Sequence, residues 1–250
     1  MRTRAVFCLG IAVCLIGLGT SATATVVTGD ASAAGVAIGL TGPLPISTGL
    51  VPAVSVSSPP PDSANQTLFD LAPLQLISSG EATVNASTDV DGAPGIRTAS
   101  GDATILDLQL DLTLVLTDII SISAAEITSA ADVTGDFGAL NATGSSTFSL
   151  VEITIDDVTF ALDPNYAPNT EIYNQGGIVI IGNQQIVTGN GTSLRGITVN
   201  ALNISFGVLG IGGSIIIGQS QAALSAIPEP GTGLLLGIGL VAIARFGRRR

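Results

Sequence analysis

The chain is predicted to be all-β: an antiparallel β-sandwich-like domain with an N-terminal signal helix and a C-terminal transmembrane helix. Three observations lead there. Apolar residues recur at every second position through most of the chain, turn-forming Gly and Asn pairs separate the runs, and no convincing amphipathic helix of ten residues occurs between Thr25 and Ala226. The expected divisions are residues 1–24 as signal peptide, 25–226 as an acidic extracytoplasmic β domain, 227–230 as a linker, 231–244 as the membrane helix and 245–250 as a basic cytoplasmic tail. A β-solenoid is the alternative architecture, but no fixed repeat period supports it.

The first segment reads as an export signal. Arg2 and Arg4 form a positive n-region, Ala5 to Gly19 is apolar, and Ala22-Thr23-Ala24 is a small-x-small cleavage site, with cleavage expected after Ala24. Both cysteines, Cys8 and Cys14, lie within it and leave with it. Phe7 and Val13 precede them where a lipobox needs a small residue, which removes the lipoprotein reading. The mature chain therefore has no thiol, no disulfide can staple it, and its stability must come from a core.

About 200 residues follow, enough for one large β domain or two small ones. All 19 acids except Glu229 lie here and the only bases are Arg97 and Arg195, so 18 negative and 2 positive charges leave a net of −16. Such a surface repels nucleic acid and anionic lipid, and suits cation binding or plain solubility. Nucleic-acid binding is excluded on this ground.

The strongest strand signal runs from Leu106 to Leu116, with six leucines at every second position and mostly polar residues between them. In a helix these leucines would scatter round all sides; in a strand they form one apolar face. Val151, Ile153 and Ile155 repeat the pattern before Asp156-Asp157 shifts the phase, as a bulge would, ahead of Val158 and Phe160. Ile197, Val199 and Ala201 give way to Leu202, Ile204 and Phe206 by a similar slip. Positive-φ turns are expected at Asp91-Gly92, Gly176-Gly177, Gly182-Asn183, Asn190-Gly191 and Gly212-Gly213. Ile178 to Thr188 is read as a hairpin about Gly182-Asn183, and Ser214 to Leu224 as the last strand. Ser121 to Asp132, rich in Ala and Ser, fits neither period cleanly. Ser57 to Asp62 and Asp163 to Asn169 are expected as proline-containing surface loops.

The last segment is a tail with three ordered parts: Ile227-Pro228-Glu229-Pro230, an uncharged stretch from Gly231 to Ala244, and Arg245-Phe246-Gly247-Arg248-Arg249-Arg250. Fourteen helical residues span about 21 Å against a hydrocarbon core of about 30 Å, a marginal crossing that Gly233, Gly237 and Gly239 weaken further. The arginines are retained inside and place the body outside. Four arginines in six residues do not finish a hydrophobic core, which excludes a buried C-terminal helix.

This order resembles the PEP-CTERM sorting signal of exopolysaccharide-producing Gram-negative bacteria. The resemblance implies that Pro228, Glu229 and Pro230 are recognised by an exosortase-type membrane peptidase, as residues of a substrate. A second resemblance concerns the body. Ala31-Ser32-Ala33-Ala34-Gly35-Val36, then Ala167-Pro168-Asn169-Thr170 and Ile197-Thr198-Val199-Asn200-Ala201-Leu202, are similar in order to the choice-of-anchor P domains of secreted bacterial proteins. Those domains often carry an aromatic residue in the place of Ala34, and late cysteines that this chain lacks. They imply an extracellular surface domain and supply no site.

Catalysis is not expected. Without His, Lys or Cys in the body, histidine-based triads, Schiff bases and histidine zinc sites have no members. Asp156 and Asp157 are neighbours on opposite faces of a strand, and Asp107 and Asp111 share a face with Gln109 between them. No cofactor is expected. The one metal candidate is calcium: Ser87-Thr88-Asp89-Val90-Asp91-Gly92 is half an EF-hand loop, but Thr98 stands where the bidentate acid belongs, leaving a looser set of Asp89, Asp91 and Asp102. Sequons at Asn65, Asn85, Asn141, Asn190 and Asn203 follow from the Ser and Thr content. No regular Thr-x-Thr array of the ice-binding kind is present along the sequence. Two functions remain: a structural or exopolysaccharide-associated matrix protein of the envelope, or a calcium-stabilised adhesin or surface binding module. The expected partners are the membrane, through the C-terminal helix, an exosortase-type peptidase, and exopolysaccharide or matrix proteins.

Overall fold

A computed structural model describes residues 25–42, 45–69, 77–114, 117–208 and 210–227. Among them there is no helix. The strands are, in order, β1 (Thr25–Thr41), β2 (Ile46–Ser58), β3 (Asp62–Leu68), β4 (Ile77–Ser78), β5 (Glu81–Thr88), β6 (Arg97–Leu114) and β7 (Thr117–Gly135). The second half adds β8 (Asn141–Ser149), β9 (Glu152–Ile155), β10 (Val158–Ala161), β11 (Thr170–Gln175), β12 (Ile178–Gly189), β13 (Leu194–Val208) and β14 (Ile211–Ile227). The predicted signal and membrane helices lie outside the described residues.

Two antiparallel sheets stack face to face, as the alternation requires. Sheet A has the order β11-β12-β13-β14-β1-β2 and sheet B the order β10-β9-β7-β6-β5-β3, with β4 beside β6 and β8 beside β7. β14 packs across β6 and β7, and β1 across β5 and β6. Neither sheet closes into a barrel. Pro52 is accommodated because β2 is an edge strand, where no neighbour needs its missing N–H.

A transverse crease crosses sheet A and explains the phase slips. The ladders pass from Ala34 to Val36, from Gln219 to Ile217, from Asn200 to Leu202 and from Gln184 to Gly182. Gly35, Gly218, Ala201 and Asn183 are thus skipped in one line across four strands, with Pro52 completing it on β2. Gly218 (φ 63°) and Asn183 (φ 49°) take the left-handed backbone this needs. On either side the inward residues change parity, so Ala201 and Leu202 are both fully buried. Sheet B is creased similarly where Asp107 (φ 51°) and Leu150 (φ 47°) interrupt the ladders. The core divides accordingly. One part is built from Ile, Leu and Phe, including Ile122, Ile153, Leu202 and Ile217. The other is narrower and rich in Ala and Val, including Ala31, Ala99, Ala131, Val199 and Ala222.

Several expectations are corrected by this geometry. Gly182-Asn183 is no hairpin turn, since β12 runs through it and both halves pair with β13. Asp156 and Asp157 (φ 48° and 64°) form the two-residue turn of the β9–β10 hairpin rather than a bulge. Gly212 and Gly213 lie within β14, and Gly210 (φ 77°) belongs to the turn before it. The leucine face of β6 is not continuous: Ile105 and Leu108 are both fully buried, with Leu106 turned partly outward at the Asp107 crease. Ser121 to Asp132 is strand throughout, with Ala124 in the larger core and Ala131 in the narrow one. Gly176-Gly177 (φ 60° and 80°) is a hairpin turn, as predicted.

Candidate functional site

The acids read as a calcium set do not converge. Asp89 follows β5, and its Oδ1 accepts a hydrogen bond from the Thr98 N–H at 2.6 Å. Asp91 accepts from the Ala93 N–H at 2.8 Å, an Asx turn, and pairs with Arg97 at 2.5 Å. Asp102 stands four residues beyond Thr98 on β6, about 13 Å away along the strand. Its Oδ2 accepts from the cross-strand Asn85 amide at 2.7 Å. Among the described residues no group of three or more His, Cys, Asp or Glu side chains is placed to hold a metal ion. Nor do Asp107 and Asp111 make a pair: Asp107 sits in the crease against Gly80, and Asp111 accepts from the Ser121 hydroxyl at 2.5 Å. The pKa of the Asp132 carboxyl is shifted. Burial pushes it above the usual value, and the neighbouring charge of Asp102 adds to this.

Sheet B's outer face carries an alignment invisible along the chain. Thr67, Thr83, Thr104, Thr128 and Thr147 are successive register partners across β3, β5, β6, β7 and β8. Thr67 and Thr83 hydroxyls lie 3.1 Å apart, and those of Thr128 and Thr147 2.6 Å apart. The intervals between these threonines are unequal, so only strand pairing reveals the row. It is one residue deep and bordered by the charged row containing Asn85 and Asp102, and it acts as a set of stabilising cross-strand pairs.

Sheet A's outer face is recessed instead. Across β2, β1, β14, β13 and β12, Ser57, Asp30, Ala223, Gly196 and Thr188 stand in register. The next row along contains Ser55, Ser32, Gln221 and Thr198. Gly196 and Ala223 lower the middle of the first row, leaving a trough of about 480 Å³. Ser57 donates to Asp30 Oδ1 on one side. Gln221 is held by a chain of side-chain amides. It donates to Gln219 (3.0 Å), Gln219 donates to Asn200 (2.9 Å), and Asn200 donates to Gln184 (2.7 Å). None of these residues was singled out from the sequence as a binding residue, because each is an ordinary polar strand residue until register brings them together.

The expected processing sites are adjacent in sequence to the two ends of the described body. Thr25 is the first residue of β1 and pairs with Ile227, the last of β14. The expected signal-cleavage residues Ala22 and Ala24, the motif Pro228, Glu229 and Pro230, and the basic residues Arg245, Arg248, Arg249 and Arg250 all lie outside the described residues. Among the described residues no helix is long and apolar enough to cross a membrane. Neither the curated proteins nor the solved structures contain a match to the chain. Comparison with protein families matches residues 226–250 to the PEP-CTERM protein-sorting motif. The chain thus carries, immediately after its last strand, the signal of an exported protein directed to an exosortase.

Proposed function

We propose that this is a non-catalytic protein of the cell envelope or extracellular matrix, sorted by an exosortase and held in association with extracellular polysaccharide. The observation that carries this reading is the sorting motif at residues 226–250, joined directly to a β-sandwich. Three features support it. The body lacks His, Lys and Cys, the usual carriers of proton transfer and nucleophilic attack. Asp89, Asp91 and Asp102 bond to backbone N–H groups or a cross-strand amide rather than gathering in a cleft. Its net charge of −16, from 18 acids and 2 arginines, keeps it soluble and apart from anionic surfaces. Metal binding forms no part of this reading, because Asp102 stands about 13 Å along β6 from Thr98, the residue that Asp89 bonds.

The test is the intact mass of the native protein from membrane, medium and matrix fractions of its host. A matrix or medium form that begins at Thr25 and ends within residues 228–230 is expected. A full-length tail confined to membranes would refute the processing step.

A further inference from the structure

We infer that the trough on the outer face of sheet A binds a neutral polysaccharide chain laid across the strands. The inference rests on the proposed extracellular, polymer-associated role and gives that role a site. Five strands at their normal spacing make the trough about 19 Å across, long enough for several sugar units in a row. Its volume of about 480 Å³ lies within the range of small-ligand sites.

The chemistry of the lining selects the ligand. Ser57 occupies one oxygen of Asp30, leaving the second as an acceptor facing the trough. The amide chain through Gln219, Asn200 and Gln184 fixes Gln221 before any ligand arrives, so its remaining hydrogen-bonding capacity is already aimed. Hydroxyls on Ser32, Ser55 and Thr198 can donate or accept. Mixed donors and acceptors around a single carboxylate match a polyol, whose every hydroxyl also does both.

Other occupants fit less well. A divalent cation needs six or more oxygens, several of them charged, and the lining supplies one carboxylate. An anionic glycan meets that carboxylate on a body of net charge −16, from 18 acids and 2 arginines, with no cation in the lining. A peptide binds sheets by pairing with a free edge, and the face of a sheet offers it no backbone partners. With no aromatic residue in the lining on which a sugar ring could stack, each site holds its chain by hydrogen bonds alone. Binding is therefore weak per site and gains strength when many copies share one polymer.

Affinity electrophoresis of the full-length chain, in a mild detergent, tests this with gels containing dextran, galactomannan, laminarin or hydroxyethylcellulose. Alginate supplies the anionic comparison and chitosan the cationic one. Retardation by at least one neutral polymer is expected, and none by alginate. Substituting both Asp30→Ala and Gln221→Ala should weaken it at least fivefold. Ala223→Leu, which fills the trough floor, should do the same without touching a polar group. Thr104→Ala, on the opposite outer face, should leave mobility unchanged, and the melting midpoint of each variant checks its fold. The inference is overturned by the absence of retardation in all four neutral gels, by retardation in chitosan or alginate alone, or by folded trough variants that bind as the parent does. A trough that fails while the native protein still cofractionates with matrix removes this site and leaves the proposed function standing.

Discussion

Adding one methyl group at Gly101 should separate the two sheets. Gly101 lies in β6 with its α-carbon facing sheet A. A Cβ there would stand 2.8 Å from the Gln221 carbonyl oxygen and nearer still to that of Ser32, whereas ordinary contact begins at 3.4 Å. Both obstacles are backbone, so no rotamer change relieves them, and the sheets must part locally by at least 0.6 Å (3.4 less 2.8). A gap of that order forfeits about a quarter of the dispersion well for every pair it opens, and here it opens the narrow core around Ala31, Ala99, Ala131 and Ala222. Overpacking typically costs about 1–3 kcal/mol. Replacing glycine by alanine returns about 0.4–1 kcal/mol through the unfolded chain. The net loss is about 1.3 kcal/mol, a fall in melting midpoint of about 3–5 °C for a domain of this size. Gly39→Ala is the control, since a Cβ there meets nothing within 4 Å and its backbone is not left-handed. Its midpoint should hold or rise. An unchanged midpoint for Gly101→Ala, read by circular dichroism or calorimetry, would refute the close approach of the two sheets.

Three other substitutions probe the polar interior and the outer face of sheet B. The Ser129 and Ser220 hydroxyls, both buried, lie 2.7 Å apart across the sheets, and Ser220 also donates to the Ser129 carbonyl at 3.1 Å. Ser220→Ala leaves the Ser129 hydroxyl without its partner and should cost about 1–3 kcal/mol in urea unfolding, whereas Ser129→Ala spares the carbonyl bond and should cost about 0.5–1 kcal/mol; equal losses would contradict this arrangement. Asp132 has its proton affinity raised by burial first and by Asp102 second, so the folded state binds its proton more tightly than the unfolded state, whose carboxyl keeps the ordinary 3.8. Stability therefore declines as pH rises from 3.8 through the raised value, and the penalty is fully present at neutral pH. Asp132→Asn should raise the midpoint at pH 7, and that gain should shrink on acidification and vanish below 3.8; a gain independent of pH would show that charge is not its cause.

Hydrophobic period carried the fold class, because a two-residue repeat of apolar side chains can bury itself only in sheets. It did not carry the creases. Asn183 looks like a turn residue and Asp107 like an outward residue of a flat strand, yet both take the left-handed backbone of a mid-strand kink, which serves a hairpin equally well. Only pairing partners distinguish them, and those lie elsewhere in the chain, with Asn183 continuing a ladder against β13. The Ala201–Leu202 slip was legible because both parities carried apolar residues, which no single flat strand could bury. The trough and the threonine row were not legible at all. Serine, threonine and glutamine on a strand imply only an outward face, and their meaning depends on the register of five strands, which for the trough come from opposite ends of the chain.

Register also bears on how sorting and folding coexist. The signal peptide is expected to end at Ala24, the motif begins at Pro228, and the residues just inside them, Thr25 and Ile227, are partners in one ladder. Both membrane-directed segments therefore leave the body at the same corner of sheet A. β14 supplies the centre of that sheet, lying between β13 and β1, so the body cannot complete its core until Leu224 and Ala226 have been exported. A cut within residues 228–230 removes no ladder partner among the described residues, whose outermost pair here is Thr25 with Ile227. A cut a few residues earlier would strip β1 of Ile227 and Ala226 and uncover Val26, which is fully buried. On the proposed reading, a cut at the proline-bounded motif would release the body with every described ladder pair of β14 and β1 intact.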